Sequence, residues 1–382
     1  MQLIEDINQL KSLFLNPDNK IHVYGAGYQA TKFFQNFDNC NNLKGYLKKI
    51  EDILVTDLKG NPEKLHGIPV RRCNKLILDE RDCIFLAVDE CIKGQITDHL
   101  KDCKAVLIEL DFYTMVYRDI YHCIKSFVSE FSIISPCINQ PLSDSAERVV
   151  WGCWWQGEDS APDMVKACWE SQRQNLPENV RHVIITKKNY EQYITIPDII
   201  LEKWEEGKIL TAHLTDFIRM SLLYKYGGLW LDADVLVLDK LPKECWELPL
   251  YTWHFDMTLF ASETLWIIGF FAAKQGSILC KFVMEAFLYY FSIFDRINYY
   301  LMMDFFISIC TKEIPGILEQ FQMIPYNNEM AMRLIHHLHE PFSDEKFREY
   351  CEGSFLQVLT WKESGYENDS VFQNIIRTYV PR

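Results

Sequence analysis

Residues 211–234 constrain the fold more than any other part of the chain. Apolar residues recur in the first half of this segment at helical spacing, and the pair Gly227-Gly228 supplies a glycine stop for that helix. The apolar run at residues 229–231 then predicts a short strand. Because side chains at positions i and i+2 of an extended segment share a face, we expect Asp232 and Asp234 to project together where the strand ends.

Two carboxylates at this spacing are suited to a hard divalent cation. Mg²⁺ and Mn²⁺ take oxygen ligands and are often held by carboxylates together with water and substrate phosphates. The same spacing also occurs in ordinary solvated turns, so Asp232 and Asp234 alone do not establish a metal site. The preceding helix adds Asp216 and Arg219 on one face, where they can bind sugar hydroxyls beside the metal or form a surface ion pair.

Composition limits the classes of function. With 382 residues, 48% of them hydrophobic and 14% aromatic, the chain can bury a large core and divide into two domains. A net charge of -14 argues against broad binding to nucleic acid. No apolar run reaches the roughly 18 residues that span a bilayer, and no secretory signal is evident at the N-terminus. Thirteen cysteines without C-x-x-C pairs favour reduced thiols, so we expect a soluble cytoplasmic protein, peripheral to a membrane at most.

Two regions of alternating strand and helix patterns follow one another. Residues 1–112 predict a small parallel α/β domain, residues 113–146 a helix and a polar, proline-marked linker, and residues 147–382 a second α/β domain. The strand-like runs of the first region are residues 21–24, 44–47, 68–70, 83–88 and 105–110.

The first region contains a glycine turn of the kind found in dinucleotide-binding domains. Gly25, Gly27 and Ala30 follow a predicted strand and open a helix, the context in which a helix N-terminus binds a pyrophosphate. The acidic residue that would bind the ribose is not evident after the next predicted strand, where Lys48-Lys49 stands. We therefore favour a Rossmann-like scaffold or oligomerisation domain, with ligand binding as the alternative.

Residues 215–234 read T-D-x-x-R-x-x-L-L-Y-x-Y-G-G-x-W-x-D-x-D, which resembles the DXD signature of the capsular polysaccharide synthesis glycosyltransferases. The segment W-G-C-W-W-Q-G-E at residues 151–158 resembles the opening of the same family, and the resemblance covers residues 148–375. That family is related to the DXD sugar transferases and the glucosylating toxins. The resemblance implies an α/β protein with a GT-A-type nucleotide-sugar-binding domain preceded by a small Rossmann-like domain.

The resemblance also implies roles for individual residues. It implies that Asp232 and Asp234 hold Mn²⁺ or Mg²⁺ and that Trp154 stacks on the nucleobase of the donor. Asp216 and Arg219 join the two metal ligands as catalytic residues. The further donor-binding residues that it implies are Thr215, Gly227, Gly228 and Trp230.

The C-terminal part of the family pattern is less well matched. A Ser-x-x-His-Lys-Leu-like segment corresponds to residues 354–362, where Gln357 stands in place of a histidine. Ser354, Gln357 and Lys362 are therefore candidates for a C-terminal or acceptor site, together with Asp304 in a predicted helix. Asp304 can equally be a helix carboxylate without such a role.

The function that the resemblance implies is hexosyl transfer from a nucleotide sugar, with a UDP-sugar as donor and with retention of configuration. The acceptor would be a glycan or lipid-linked glycan in capsular or surface polysaccharide synthesis. Two alternatives stay open: an NAD-dependent oxidoreductase that uses the N-terminal glycine turn, and a non-catalytic protein that binds a nucleotide sugar.

Overall fold

The computed structural model describes residues 1–134, 148–254 and 265–380. The chain forms two compact units. The first comprises Met1–Lys125 and Ile297–Met302, and the second comprises Ser126–Arg296 and Met303–Arg382. The domain boundaries after residues 112 and 146 stay a prediction, and the linker at 135–146 lies outside the described residues. Among the described helices, none has the length and apolar character that crossing a membrane requires.

A seven-stranded sheet organises the first unit. Its strands are β1 (Gln2–Ile4), β2 (Lys20–Tyr24), β3 (Ile50–Val55), β4 (Lys64–Leu65), β5 (Ile68–Arg72), β6 (Asp82–Leu86) and β7 (Val106–Leu110). They lie in the order β1-β7-β6-β2-β3-β5-β4, and every neighbouring pair except β4 with β5 is parallel. The helices are α1 (Ile7–Leu15), α2 (Tyr28–Asp38), α3 (Glu90–His99) and α4 (Phe112–Ile134), of which α4 extends into the second unit.

Strand β3 begins later in the sequence than the pattern of apolar residues predicted. The prediction of a strand at residues 44–47 is wrong, because Lys44–Lys49 is a 3-10 helix and β3 follows it. The run I-E-D-I-L-V of β3 buries four apolar side chains, whereas the earlier run is interrupted by Gly45 and lysines. An acidic residue, Asp57, therefore does follow this strand, and it forms an ion pair with Arg72 at 2.8 Å.

The second unit contains a five-stranded sheet and a two-stranded one. The strands are β8 (Val149–Cys153), β9 (Arg181–Ile185), β10 (Gly228–Leu231), β11 (Val235–Val237), β12 (Leu250–Thr252), β13 (Phe270–Ala273) and β14 (Leu356–Val358). The larger sheet has the order β12-β13-β10-β8-β9, in which β10, β8 and β9 run parallel and β12 and β13 complete antiparallel pairs. Strands β11 and β14 pair antiparallel.

The helices of the second unit surround these strands. They are α5 (Asp163–Asn175), α6 (Asp198–Glu205), α7 (Thr211–Tyr226), α8 (Glu244–Glu247), α9 (Ile278–Ile293), α10 (Met302–Glu313), α11 (Ile317–Gln322), α12 (Asp344–Cys351) and α13 (Val371–Tyr379). Parallel strands with helical connections in both units confirm the predicted α/β fold class.

The turn from α7 into β10 requires its two glycines. Gly227 has a φ of 70° and Gly228 a φ of 102°, values that side chains other than glycine rarely adopt. A Cβ atom on Gly228 would lie 2.4 Å from the carbonyl oxygen of Val149, and one on Gly227 would lie 2.6 Å from the amide nitrogen of Gln275. The glycines thus allow β10 to pack closely beside β8. Each apolar side chain that these strands bury fully contributes about 1.5–3 kcal/mol.

Candidate active site at the carboxyl ends of two parallel strands

The site residues lie where β8 and β10 end. The two strands are parallel neighbours, with Trp151 opposite Trp230, so the residues that follow them lie at the same edge of the sheet. Trp154 follows β8, and Asp232 follows β10. The carboxyl edge of parallel strands is where α/β proteins usually bind ligands.

Asp232 is held on one side and open on the other. Its Oδ1 accepts hydrogen bonds from Arg219 Nη2 at 2.8 Å and from Trp230 Nε1 at 2.7 Å. Its amide donates to the carbonyl oxygen of Gly269 at 2.8 Å. A Cβ atom at Gly269 would lie 3.0 Å from Asp232 Oδ2, so the absence of a side chain at 269 leaves space at that oxygen. The side chain of Asp232 remains 35% exposed.

Behind Asp232 lies a buried group of charges on α7 and α10. Asp216 and Arg219 are only 9% and 3% exposed, which excludes the surface ion pair considered from the sequence. Arg219 Nη2 lies 3.7 Å from Asp216 Oδ1, and its Nη1 donates to the carbonyl oxygen of Ile268 at 2.8 Å. Asp304 is 8% exposed and accepts a hydrogen bond from Trp266 Nε1 at 3.0 Å.

The environment of these carboxyl groups favours their neutral forms. Burial raises the pKa of Asp216 to about 7, and the nearby Arg219 opposes this shift only in part. Burial also raises the pKa of Asp304 to about 6, although its hydrogen bond with Trp266 lowers it. Burial and the neighbouring Asp232 carboxylate raise the pKa of Asp234 to about 7. Desolvation and like charges are the two causes expected to produce such shifts.

The group is short of positive charge. Four carboxyl groups, those of Asp216, Asp232, Asp234 and Asp304, share Arg219, and Lys362 supplies a further positive charge near Asp234. Oxygen donors in excess of cations fit a divalent ion such as Mn²⁺ or Mg²⁺.

The number of protein ligands is small. In the described part of the chain, no three His, Cys, Asp or Glu side chains converge as a ligand set. Asp232 and Asp234 would therefore share an ion with oxygens from a ligand or from water, which is the usual arrangement for Mg²⁺.

An aromatic pair lies beside the carboxyl groups. Trp154 is half-buried, and its ring centroid lies 5.2 Å from that of Trp361 and 6.4 Å from that of Trp169. Its Nε1 donates to Ser160 Oγ at 3.1 Å. Trp154, Trp361 and Ala233, the residue between the two aspartates, pack against the same buried cluster. The pair offers aromatic surface next to residues 232–235, which we call the acidic turn.

The remaining residues singled out in the sequence include Thr215, which neighbours Asp216 on α7, and residues of other elements. Thr215 Oγ1 donates to the carbonyl oxygen of Thr211 within α7. Gly228 begins β10 and so lies roughly 13 Å from Asp232 at about 3.3 Å per residue, with Gly227 one residue before it. Ser354 Oγ accepts the amide of Met330 at 3.0 Å.

Gln357 is fully buried in β14. Its Oε1 accepts the amide of Leu334 at 3.0 Å, and its Nε2 is buried without a hydrogen-bond partner in the described structure. The structure thus brings together Trp154, Asp216, Arg219, Trp230, Asp232, Asp234, Asp304 and Lys362, but it does not bring Gly227, Gly228 or Gln357 to them.

Three residues of the site were not found from the sequence. Trp266 contacts Asp304, and Gly269 contacts Asp232. Both lie more than thirty residues after the acidic turn. They carry no local pattern that would indicate this. Trp361 is different, because it immediately precedes Lys362 in a segment already considered, and its aromatic character was a usable signal.

The fold and this acidic site define an α/β protein with several carboxyl groups at the carboxyl edge of its second parallel sheet, and sequence comparison gives the family. The model of the family described as "Capsular polysaccharide synthesis protein" matches residues 102–378. Because this match covers more than half of the chain, the chain belongs to that family.

Individual relatives are more distant. The chain is 28% identical over 162 residues to "Glycosyltransferase afumC" of Aspergillus fumigatus, covering 39% of this chain and 41% of the relative. It is 24% identical over 157 residues to "O-glycosyltransferase braB" of Annulohypoxylon truncatum, covering 37% of each. The chain thus spans about two fifths of the length of these curated relatives.

Solved structures are similar only at low identity. The galactosyltransferase LgtC, determined with donor and acceptor sugar analogues, is 10% identical, covering 61% of this chain and 97% of that chain with a TM-score of 0.32. The WbbM bifunctional glycosyltransferase is 10% identical, covering 64% of this chain and 51% of that chain with a TM-score of 0.38. No residue role is carried over from these structures.

Proposed function

We propose that this protein is a metal-dependent glycosyltransferase that moves a hexose from a nucleotide sugar to a hydroxyl group of an acceptor. The observation that carries the proposal is the group of four carboxyl groups around Arg219 at the carboxyl edge of β8 and β10, beside the pair Trp154 and Trp361. Membership of the capsular polysaccharide synthesis family supports it.

We propose a role for each residue of this site that agrees with its position. Asp232 and Asp234 would hold Mn²⁺ or Mg²⁺, which would supply positive charge for the diphosphate leaving group. Arg219 and Trp230 fix the orientation of Asp232 through Oδ1, which leaves Oδ2 directed toward the open side at Gly269. Lys362, whose charge already acts on Asp234, is placed to pair with a phosphate oxygen.

Binding of the nucleotide sugar draws on the neighbouring groups. Trp154 stacks on the flat face of the base, since it is half-buried and adjoins the acidic turn. Asp216 and Asp304 lie deeper, where carboxyl groups bind sugar hydroxyls and discriminate among sugars by hydrogen-bond geometry. Thr215 extends this group along α7.

The finer features of the reaction come from the family and its relatives. The names of the fungal relatives include O-glycosyltransferases, which supports transfer to an oxygen. We propose a UDP-sugar donor, retention of configuration and a glycan or lipid-linked glycan acceptor, on the basis of the family resemblance. We place the reaction in the cytoplasm, because the described cysteines are free thiols.

A thermal-shift screen of nucleotide sugars with and without Mn²⁺ tests this proposal. A ligand that binds only the folded protein at a hundred times its Kd stabilises the fold by about 2.7 kcal/mol. We expect UDP-sugars to raise the melting temperature, and to do so more strongly when Mn²⁺ is present. The absence of any nucleotide-sugar shift would overturn the proposal.

Two further results would favour the alternative functions. A shift with NADH alone would favour an oxidoreductase. Binding of nucleotide sugars without hydrolysis or transfer, across a panel of acceptors, would favour a non-catalytic binding protein.

A further inference from the structure

Strand β11, which follows the acidic turn, is bonded on its two edges in different ways. One edge pairs with β14, and the amide of Leu359 continues that pairing to the carbonyl oxygen of Asp234 at 2.9 Å. The other edge faces the C-terminal part of α5, whose polar side chains take the place of a strand. Backbone groups that face a helix need such partners, because an unpaired buried carbonyl or amide is costly.

Three consecutive bonds make up this second edge. Gln172 Nε2 donates to the carbonyl oxygen of Val235 at 2.8 Å. Ser171 Oγ accepts the amide of Val237 at 3.0 Å, and Asn175 Nδ2 donates to the carbonyl oxygen of Val237 at 2.9 Å. Ser171 and Gln172 are fully buried, so water does not compete for these bonds.

Gln172 differs from the other two because it also reaches the acidic turn itself. The amide of Val235 donates to the carbonyl oxygen of Asp232 at 3.2 Å, which closes a turn with Ala233 and Asp234 at its centre. The Nε2 atom of Gln172 lies 3.4 Å from that same Asp232 carbonyl oxygen. A single amide therefore contacts the backbone at both ends of the turn that carries Asp234.

We infer that Gln172 is a positioning residue for the two metal-binding carboxylates. From α5, it fixes both ends of the turn between Asp232 and Val235 and so holds the backbone that carries the Asp234 side chain. Removing a residue that orients the ligands of a metal ion commonly lowers the affinity for that ion. The inference rests on the proposed function, because it concerns the same ion.

The chain offers a matched control two residues along the strand. Asn175 makes a bond of the same kind and similar length, but to Val237, beyond the acidic turn. Gln172→Met and Asn175→Leu each replace an amide by an apolar group of similar size. Both variants lose one bond between α5 and β11, but only the first loses the contact with the turn.

The test measures Mn²⁺ binding to the full chain in the presence of saturating UDP, from the electron paramagnetic resonance signal of free Mn²⁺. We expect the Kd for Mn²⁺ to rise on the order of tenfold in Gln172→Met and to stay unchanged in Asn175→Leu. In turnover assays, we expect Gln172→Met to require more Mn²⁺ for half-maximal rate, with kcat largely recovered at saturating Mn²⁺.

Equal Mn²⁺ affinity in the two variants would overturn the inference, because Gln172 would then serve packing alone. If Gln172→Met does not fold, Gln172→Asn keeps a polar side chain but withdraws the amide by one methylene, and the same rise in Kd is expected. Failure of the wild type to bind Mn²⁺ with UDP would instead overturn the proposed function, so the two failures are distinguishable.

Discussion

Both units of this protein bury charged side chains beside a parallel sheet, but they balance the charge differently. In the first unit, His22 lies between Asp82 at 2.9 Å and Asp52 at 4.0 Å, and Asp52 pairs with Arg71 at 2.5 Å. A histidine ring and an arginine thus alternate with the two carboxyl groups along the network. In the second unit, four carboxyl groups gather around Arg219.

We propose that the difference separates a structural network in the first unit from a functional one in the second. In the first network each carboxyl group has a side-chain partner within the protein, so the network needs no ligand. The second group leaves Asp216, Asp234 and Asp304 with raised pKa values, which means that burial is not compensated by the protein. Clusters of this kind are typical of functional sites. This imbalance of charge supports the cation that we propose for the site.

The largest expected effect comes from removing the arginine of each network. Arg219→Met should lower the free energy of unfolding of the second unit by about 3–5 kcal/mol, since it leaves buried carboxylates without their partner. Arg71 is 56% exposed, so Arg71→Met should cost no more than about 1 kcal/mol. All ten tryptophans lie in the second unit, so urea unfolding followed by tryptophan fluorescence reports on that unit, and circular dichroism reports on both. Equal losses would remove the distinction between the networks.

Glycine substitutions provide a second contrast. Gly25 has a φ of 118°, and a Cβ there would lie 2.4 Å from the carbonyl oxygen of Ala87, so Gly25→Ala should destabilise the first unit by about 1–3 kcal/mol. The three atoms nearest to a Cβ on Gly269 all belong to the side chain of Asp232, with Oδ2 at 3.0 Å. Gly269→Ala should therefore weaken Mn²⁺ binding while leaving the melting temperature nearly unchanged. An unchanged Mn²⁺ affinity in Gly269→Ala would argue against Oδ2 as a ligand atom.

The two sheets also contain contrasting histidines. Nε2 of His22 pairs with Asp82, whereas both ring nitrogens of His182 are buried without a hydrogen-bond partner in the described structure. Burial lowers the pKa of His182 from 6.5 to about 3. Below pH 6.5 the unfolded chain therefore binds a proton that the folded chain does not, and stability falls with falling pH.

The loss due to His182 amounts to about 1.4 kcal/mol at pH 5.5 relative to pH 7.5. His182→Asn removes the titrating group, so its fluorescence-detected unfolding should show a smaller difference between the two pH values. The same pH difference in wild type and variant would contradict this assignment.

Local patterns were sufficient to predict the acidic turn. Helical spacing, the Gly227-Gly228 stop and a three-residue apolar run located α7, β10 and the position of Asp232. The later strand β3 was missed, because a short run containing Gly45 satisfied the same pattern as the longer apolar run that follows it.

Local sequence patterns did not predict which distant residues contact one another in the folded protein. The sequence places Arg219 next to Asp216 on one helical face, but it does not reveal that Arg219 donates to Asp232 across a turn of the chain. Gly269 and Trp266 reach the site only because β13 returns beside β10. Gln357 matched a site pattern by position, and its burial in β14 depends on the pairing with β11, which has no local signal. The roles predicted for Gly227, Gly228 and Gln357 stay predictions.

The most direct measurement compares one aspartate from each network by steady-state turnover of a UDP-sugar with Mn²⁺. Asp234→Asn should lower the rate of hydrolysis or transfer by about 10²–10³-fold, as expected when one preorganised electrostatic group is lost, and it should not lower the melting temperature. Asp52→Asn should lower the melting temperature through the loss of its pair with Arg71, and its turnover should match that of wild type. Wild-type turnover in Asp234→Asn would contradict the account.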